Sequence, residues 1–146
     1  MAELLPEAER KWLKDEYPWL VDEEDIPTPG TDFSLWIDYM APGWWNAFGY
    51  DLLKELKQAI EQDGMTDTYH IDQVKEKCGG LRWYDNGGKH VHAVIDKYCE
   101  LSEQLCVECG EPAEWIAKGW ITPYCDNCKE RLARYGNQFI KKMREL

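Results

Sequence analysis

Apolar positions recur along this chain at two different periods. Pro6 opens a short stretch, residues 6–17, that reads as a helix, with Pro18 just beyond its end. From about Trp44, Leu52, Leu53, Leu56, Ala59 and Ile60 repeat at helical spacing until Gly64 ends the pattern. A second helix is predicted over 89–105, with Val91, Ile95, Tyr98, Ser102 and Leu105 on one face. Between these helices the period changes. TYHIDQVKEK and LRWYD read as two strands joined at Gly79-Gly80, a hairpin within residues 68–85. FSLWIDYMAPGWW is densely aromatic and is expected to enter the core as a strand or extended segment. Near the C-terminus, EPAEWIAKGWITPY alternates around Lys118-Gly119 as a hairpin would. Beyond it, Leu132, Tyr135, Phe139 and Met143 mark one face of an expected C-terminal helix.

The pattern predicts an α+β fold: helices packed on a short antiparallel hairpin, followed by a C-terminal treble-clef-like zinc finger. Residues 1–30 form an acidic N-terminal helix and linker, 31–105 the α+β core, and 106–146 the zinc module with its helix. With 146 residues, 44% hydrophobic and eight Trp, the chain can bury a substantial core. The formal charge of −11 is far from that of a general DNA binder. The charge is unevenly spread: residues 1–30 hold nine acids and three bases, and residues 129–146 six bases and two acids. The acids of VDEEDIPTPGTD are expected to be a solvated surface. No apolar run suits a secretory signal or a membrane span, so a cytoplasmic protein without membrane association is expected.

Cysteine spacing carries the sharpest chemistry. Cys106-x-x-Cys109 and Cys125-x-x-Cys128 are separated by fifteen residues. Two such pairs suit one tetrahedral ion, and four thiolates leave no open position for a catalytic water. One structural Zn²⁺ is therefore expected. Redox chemistry of the thioredoxin type needs one such motif rather than two. Cys78 and Cys99 are left as ordinary buried thiols. Treble clefs also host histidine-dependent nuclease sites, but the cysteine hairpin contains no histidine, and His70, His90 and His92 all lie elsewhere.

The hairpin is the second feature. A two-residue Gly79-Gly80 loop would oppose Lys77 to Arg82 and Lys75 to Tyr84. Lys75, Lys77, Arg82 and Tyr84 would share one face, and Glu76, Cys78, Leu81 and Trp83 the other. Opposed like charges cost about 0.2–1 kcal/mol, which a phosphate-bearing ligand would offset; Asp72 or Glu55 could equally neutralise the face from within. The DNGG stretch after it would add backbone N–H donors at the next helix.

The run Val74, Lys75, Glu76, Lys77, Gly79, Gly80, Leu81, Arg82 and Tyr84, with Gly43-Trp44 upstream and the paired CxxC motifs downstream, resembles a family of small zinc-binding proteins of bacteriophages and prophages. The resemblance covers residues 43–128 and barely touches the first forty. Cys78 and Trp83 depart from it, each standing where the family has Phe. It implies a phage origin and a zinc site but no mechanism. The functional expectation is a non-enzymatic protein that binds an anionic small molecule or nucleotide, such as a host defence signal. The alternatives are an effector that engages a host or defence protein, with Trp12, Tyr17 and Trp19 as contacts, and a regulatory nucleic-acid binder using Arg134, Lys141 and Arg144 of the C-terminal helix. Catalysis would rest on Cys78 alone, beside Lys77. Oligomeric state, including a homodimer, is left open by the sequence.

Overall fold

The computed structural model describes residues 5–23, 31, 33–119, 121–134, 136 and 138–141. In chain order the elements are α1 (Glu7–Glu16), β1 (Val21–Asp22), β2 (Ser34–Leu35), α2 (Pro42–Gln62), β3 (Ile71–Lys77), β4 (Gly80–Asp85), α3 (Lys89–Ser102), β5 (Trp115–Ala117), β6 (Pro123–Tyr124), α4 (Asp126–Ala133) and β7 (Phe139–Lys141). The fold is α+β. Among the described residues three small antiparallel sheets form: β1-β2, β3-β4 and a three-stranded sheet of order β6-β5-β7.

The core forms where α2 and α3 pack together and α3 also lies against β4. Leu52, Leu53, Leu56, Ala59 and Ile60 of α2 are buried, as their spacing requires, and meet Val91, Ile95 and Tyr98 of α3 and Val74, Leu81 and Trp83 of the hairpin. α2 begins at Pro42, whose fixed φ suits the first turn, and closes at Gly64 with φ +68. The aromatic stretch before it departs from the expected strand. Ser34–Leu35 alone pair as a strand among its described residues, and Trp36–Tyr39 form a 3-10 turn packed against β3. That turn aims Asp38 inward.

Asp38 is the partner of a buried cation on α1. Arg10 is 2% exposed. Its guanidinium donates to both Asp38 oxygens at 2.6 and 3.0 Å and to the Phe33 carbonyl at 2.7 Å. Asp38 also accepts from the Leu35 N–H at 2.9 Å. Leu13, Tyr17 and Leu20 follow Arg10 into the same core. Asp22, expected among solvated acids, is buried and accepts from the Tyr39 hydroxyl at 3.0 Å. Residues 24–30 and 32 of that acidic stretch lie outside the described residues.

Two further expectations change. The C-terminal helix stops at Ala133, and Phe139–Lys141 pair antiparallel with β5. Gly136, at φ +85, takes a left-handed turn that a continuous helix excludes. Lys141 therefore lies on a strand and Arg134 at the helix end, so no helix face joins these two; Tyr135, Met143 and Arg144 lie outside the described residues. The DNGG segment does lead into α3, but two of the helix's first N–H donors, those of His90 and Val91, are already taken. The Asp63 carboxylate, reaching over from the end of α2, accepts from the backbone N–H of His90 at 3.1 Å and of Val91 at 3.0 Å. It also meets the His90 ring at 2.7 Å. Gly88 makes room for it, because a Cβ there would stand 2.7 Å from the Asp63 carboxyl carbon.

Two measurements check these contacts. Arg10→Ala leaves Asp38 buried without its cation and is expected to lose about 3–5 kcal/mol in urea unfolding; a loss below about 1 kcal/mol would contradict the pairing. For Asp63, burial opposes ionisation, but the Val91 N–H, the His90 ring and the His90 N–H outweigh it and lower the carboxyl to about 2. A depressed carboxyl contributes stability that is complete above its ordinary value near 3.8 and fades as pH falls from there toward 2. Asp63→Asn should flatten the acid-unfolding profile across that window and leave the profile above it parallel to the parent's.

Candidate functional site

The four predicted ligands converge. The Sγ atoms of Cys106, Cys109, Cys125 and Cys128 all lie within 4.8 Å of one another. Local sequence explains how each pair is presented. After α3, the chain makes a tight loop in which the Gly110 N–H donates to the Cys106 carbonyl at 3.0 Å and the Cys106 N–H to Glu111 at 2.7 Å. Gly110, at φ +89, closes it. The second pair straddles the start of α4. Cys125 is the residue before the first turn, and its sulfur accepts from the Cys128 N–H at 3.4 Å.

The donor set fits a metal ion. A tetrahedron with about 2.3 Å metal–sulfur bonds has edges of about 3.8 Å, and Cys109 and Cys125 stand 3.5 Å apart. All six cysteines are free of disulfides. Burial pushes the Cys109 and Cys128 thiols up, and neighbouring thiols add to it. At Cys125 burial is outweighed by the Cys128 N–H and the surrounding thiols, so that sulfur is pulled down. Such a cluster gains its charged form from a bound cation. Four sulfurs complete a tetrahedral sphere and leave no position for substrate.

Contacts that spacing did not reveal brace the centre. Glu108, between the first two cysteines, pairs with Arg131 of α4. The Trp115 indole donates to Asp126 at 2.5 Å, and the Lys129 ammonium stands 4.1 Å from the Trp115 ring centroid. The Val107 N–H donates to Pro123 at 3.1 Å, tying the loop to β6. The Gly43 N–H donates to Val107 at 2.7 Å, tying the loop to α2. A Cβ on Gly43 would come within 2.1 Å of the Cys106 carbonyl oxygen, so the loop and the helix start touch backbone to backbone. The only sequence signal for this was Gly43-Trp44.

The β3-β4 hairpin is present with a different register. Lys77 pairs with Gly80, Glu76 with Leu81, Lys75 with Arg82, Val74 with Trp83 and Gln73 with Tyr84. The two loop residues are Cys78 at φ +52 and Gly79 at φ +84, the positive pair of a type I′ turn. Gly80 lies in the strand, where a Cβ would meet Arg82 Nη1 at 3.0 Å and the Glu103 side chain at 3.1 Å. The opposed like charges are therefore Lys75 and Arg82, not Lys77 and Arg82. The pairing slips by two residues, an even number, so the alternation of faces survives. Lys75, Lys77, Arg82 and Tyr84 still share a face, joined by Gln73.

On that face Tyr84 is 46% exposed. The Lys75 ammonium stands 5.8 Å from its ring centroid. Arg82 is half-buried and donates to the Leu81 carbonyl at 3.2 Å. Among the described residues, no carboxylate lies within ion-pairing distance of Lys75, Lys77 or Arg82. The two acids expected to neutralise them are engaged elsewhere. Asp72 meets His70 at 3.1 Å, and Glu55 accepts from Lys97 and Tyr98.

The remaining thiols separate. Cys99 is half-buried on α3, where burial pushes it up to about 11 against the pull of Arg82. Cys78, expected to be buried, is exposed at the hairpin tip. It helps line a cleft of about 270 Å³ with Gly79, Glu103, Gln104, Ile116, Ile121 and Pro123, where the hairpin meets the β5-β6 sheet. Among the described residues, no helix is long and apolar enough to cross a membrane. Compared with protein-family models, curated proteins and solved structures, the chain matches none of them.

Proposed function

We propose that this chain is a non-enzymatic binding protein, stabilised by one structural Zn²⁺, whose hairpin face takes an anionic, phosphate-bearing ligand. The observation that carries the ligand reading is the directly opposed Lys75 and Arg82, with no ion-pair partner among the described residues. A directly opposed like-charge pair is destabilising. An Arg fork and two ammonium groups beside a phenol suit phosphate oxygens. In the setting the family resemblance implies, an infected bacterial cell, such a protein would sequester a nucleotide-like defence signal.

Zinc is the ion favoured for the four cysteines, because thiolate-only tetrahedral sites select it. The order of loop, two-stranded hairpin, then helix carrying the second pair supports a treble-clef arrangement. A second reading, a protein-directed effector, is favoured by Trp12 on α1, which remains 50% exposed while Leu13 and Tyr17 of the same segment enter the core.

Two experiments test the proposal. Native mass spectrometry of the purified chain should show one zinc per chain. Stripping it with a chelator, or introducing Cys106→Ser, should abolish cooperative unfolding, since such sites contribute about 10–16 kcal/mol of apparent binding energy. A metal-free chain with an unchanged melting profile would refute the zinc assignment. For the ligand, Lys75→Gln should raise the stability of the free protein by about 0.2–1 kcal/mol. The same change, like Arg82→Ala, should weaken calorimetric binding of a nucleotide or phosphate probe by about tenfold. Binding that neither substitution alters would reject the site.

A further inference from the structure

We infer that the ligand of the hairpin face is a single-stranded nucleic acid, with Tyr84 as the platform for a base and Lys75, Lys77 and Arg82 on the phosphates; this rests on the anionic-ligand reading above. The first support is shape. Sites for small ligands are concave and bury 70–90% or more of the ligand. The four residues instead stand on the open side of a two-stranded ribbon, with Tyr84 46% exposed and Lys77 and Gln73 exposed. The cleft beside the hairpin turn contains none of the four, and its charged lining residue is an acid, Glu103. An isolated nucleotide thus finds its cations on a surface and its nearest cleft of the wrong sign.

The second support is the layout along the strands. Cross-strand rows on this face run Gln73–Tyr84, Lys75–Arg82, Lys77–Gly80, from the ring toward the turn. Successive same-face residues on a strand are about 6.6–6.8 Å apart. The aromatic group stands at one end and the cations extend from it in one direction, so a chain whose base sits on Tyr84 carries its next phosphates past Lys75 and Arg82, then Lys77. A mononucleotide would leave the last row unused.

Tyr84 also separates single from double strands. A ring can take a base only if the base is unstacked, and stacking on an exposed aromatic tolerates every base. The Lys75 ammonium, 5.8 Å from the ring centroid, makes a loose contact that a base displaces toward its own phosphate. Gln73, opposite Tyr84, supplies amide donors and an acceptor at the base edge. Little sequence preference is expected from such a surface.

The test uses the full-length protein and fluorescence anisotropy with a labelled single strand of roughly 15 nucleotides. Unlabelled duplex, mononucleotides and inorganic phosphate serve as competitors. The single strand should bind at least tenfold more tightly than any competitor. The affinity should fall with salt at a log–log slope of about −1.4 to −2.1, as two or three phosphate contacts require. Tyr84→Ala should weaken binding about fivefold or more without changing the melting temperature. Lys77→Ala should lower the slope's magnitude by about 0.7. Duplex binding as tight as single-strand binding, or indifference to Tyr84→Ala, overturns the inference. Should phosphate or a mononucleotide bind through Lys75 and Arg82 as well as the single strand does, the inference fails and the anionic-ligand reading stands. No binding of any probe removes both.

Discussion

The contact between Gly43 and the first cysteine loop constrains most of this structure. The Gly43 N–H donates to Val107 at 2.7 Å, and the space a Cβ would need is filled by the Cys106 carbonyl and the Gly110 N–H. The start of α2 and the metal-ligand loop are therefore one packed unit. The loop is tied equally to what surrounds it. Trp44, fully buried beside Gly43, donates its indole N–H to Ser102 at 3.1 Å, and the Ser102 hydroxyl accepts from the Leu81 N–H at 2.8 Å. One serine at the end of α3 thus joins the long helix, the β4 strand and the approach to Cys106. A cation at the four sulfurs would stabilise a junction of the whole core, not an appended finger, and the hairpin face would inherit its rigidity from the same junction.

The hairpin shows how much the sequence could reveal and where it stopped. Gly79-Gly80 invited a two-glycine turn, because glycine takes positive φ without strain. The two glycines serve different needs. Gly79 has φ +84, whereas Gly80 is in the strand and keeps clear of Glu103 and Arg82. The other positive φ falls on Cys78, a residue with a Cβ, at φ +52. Only a tertiary contact, the end of α3 passing over the strand, distinguishes these roles, and no local rule contains it. The shared face was nevertheless legible, because side-chain alternation depends on parity and the pairing slipped by an even number of residues. Likewise, the four-cysteine cluster was legible from the cysteine spacing alone, while Glu108–Arg131 and the Trp115 bracing were not.

The C-terminal segment failed for a related reason. Leu132, Tyr135, Phe139 and Met143 satisfy helical spacing, but periodicity ignores what a neighbouring sheet lacks. With β6 on one side only, β5 would expose a row of unpaired N–H and C=O groups. Phe139–Lys141 cover that edge, and Tyr124 meets Phe139 edge-on at 5.7 Å across the sheet. Gly136 lets the chain leave α4 and turn back. The helix was the better local choice and the strand the better global one. Beside Gly64, read as the helix end, Asp63 carried no sequence signal of its own, and its capping of a second helix, α3, appears only once both helices are placed.

The net charge of −11 sets the terms on which the proposed site can work. At physiological salt, exposed charges are screened beyond about 8 Å. Same-face cations along the hairpin are about 6.6–6.8 Å apart, so they act on a bound anion together. The nearest acids temper the face unevenly. Asp96 of α3 and Glu103 just beyond its end share Arg82's surroundings near Cys99, but no such neighbour pairs with Lys75 or Lys77 among the described residues. The two lysines are then the stronger electrostatic contacts, and Arg82, held against α3, is the more geometrically fixed one. Long-range attraction cannot recruit a polyanion to so acidic a chain. Affinity on the proposed reading must come from short-range contact, which is where an exposed ring beside the cations has its greatest effect.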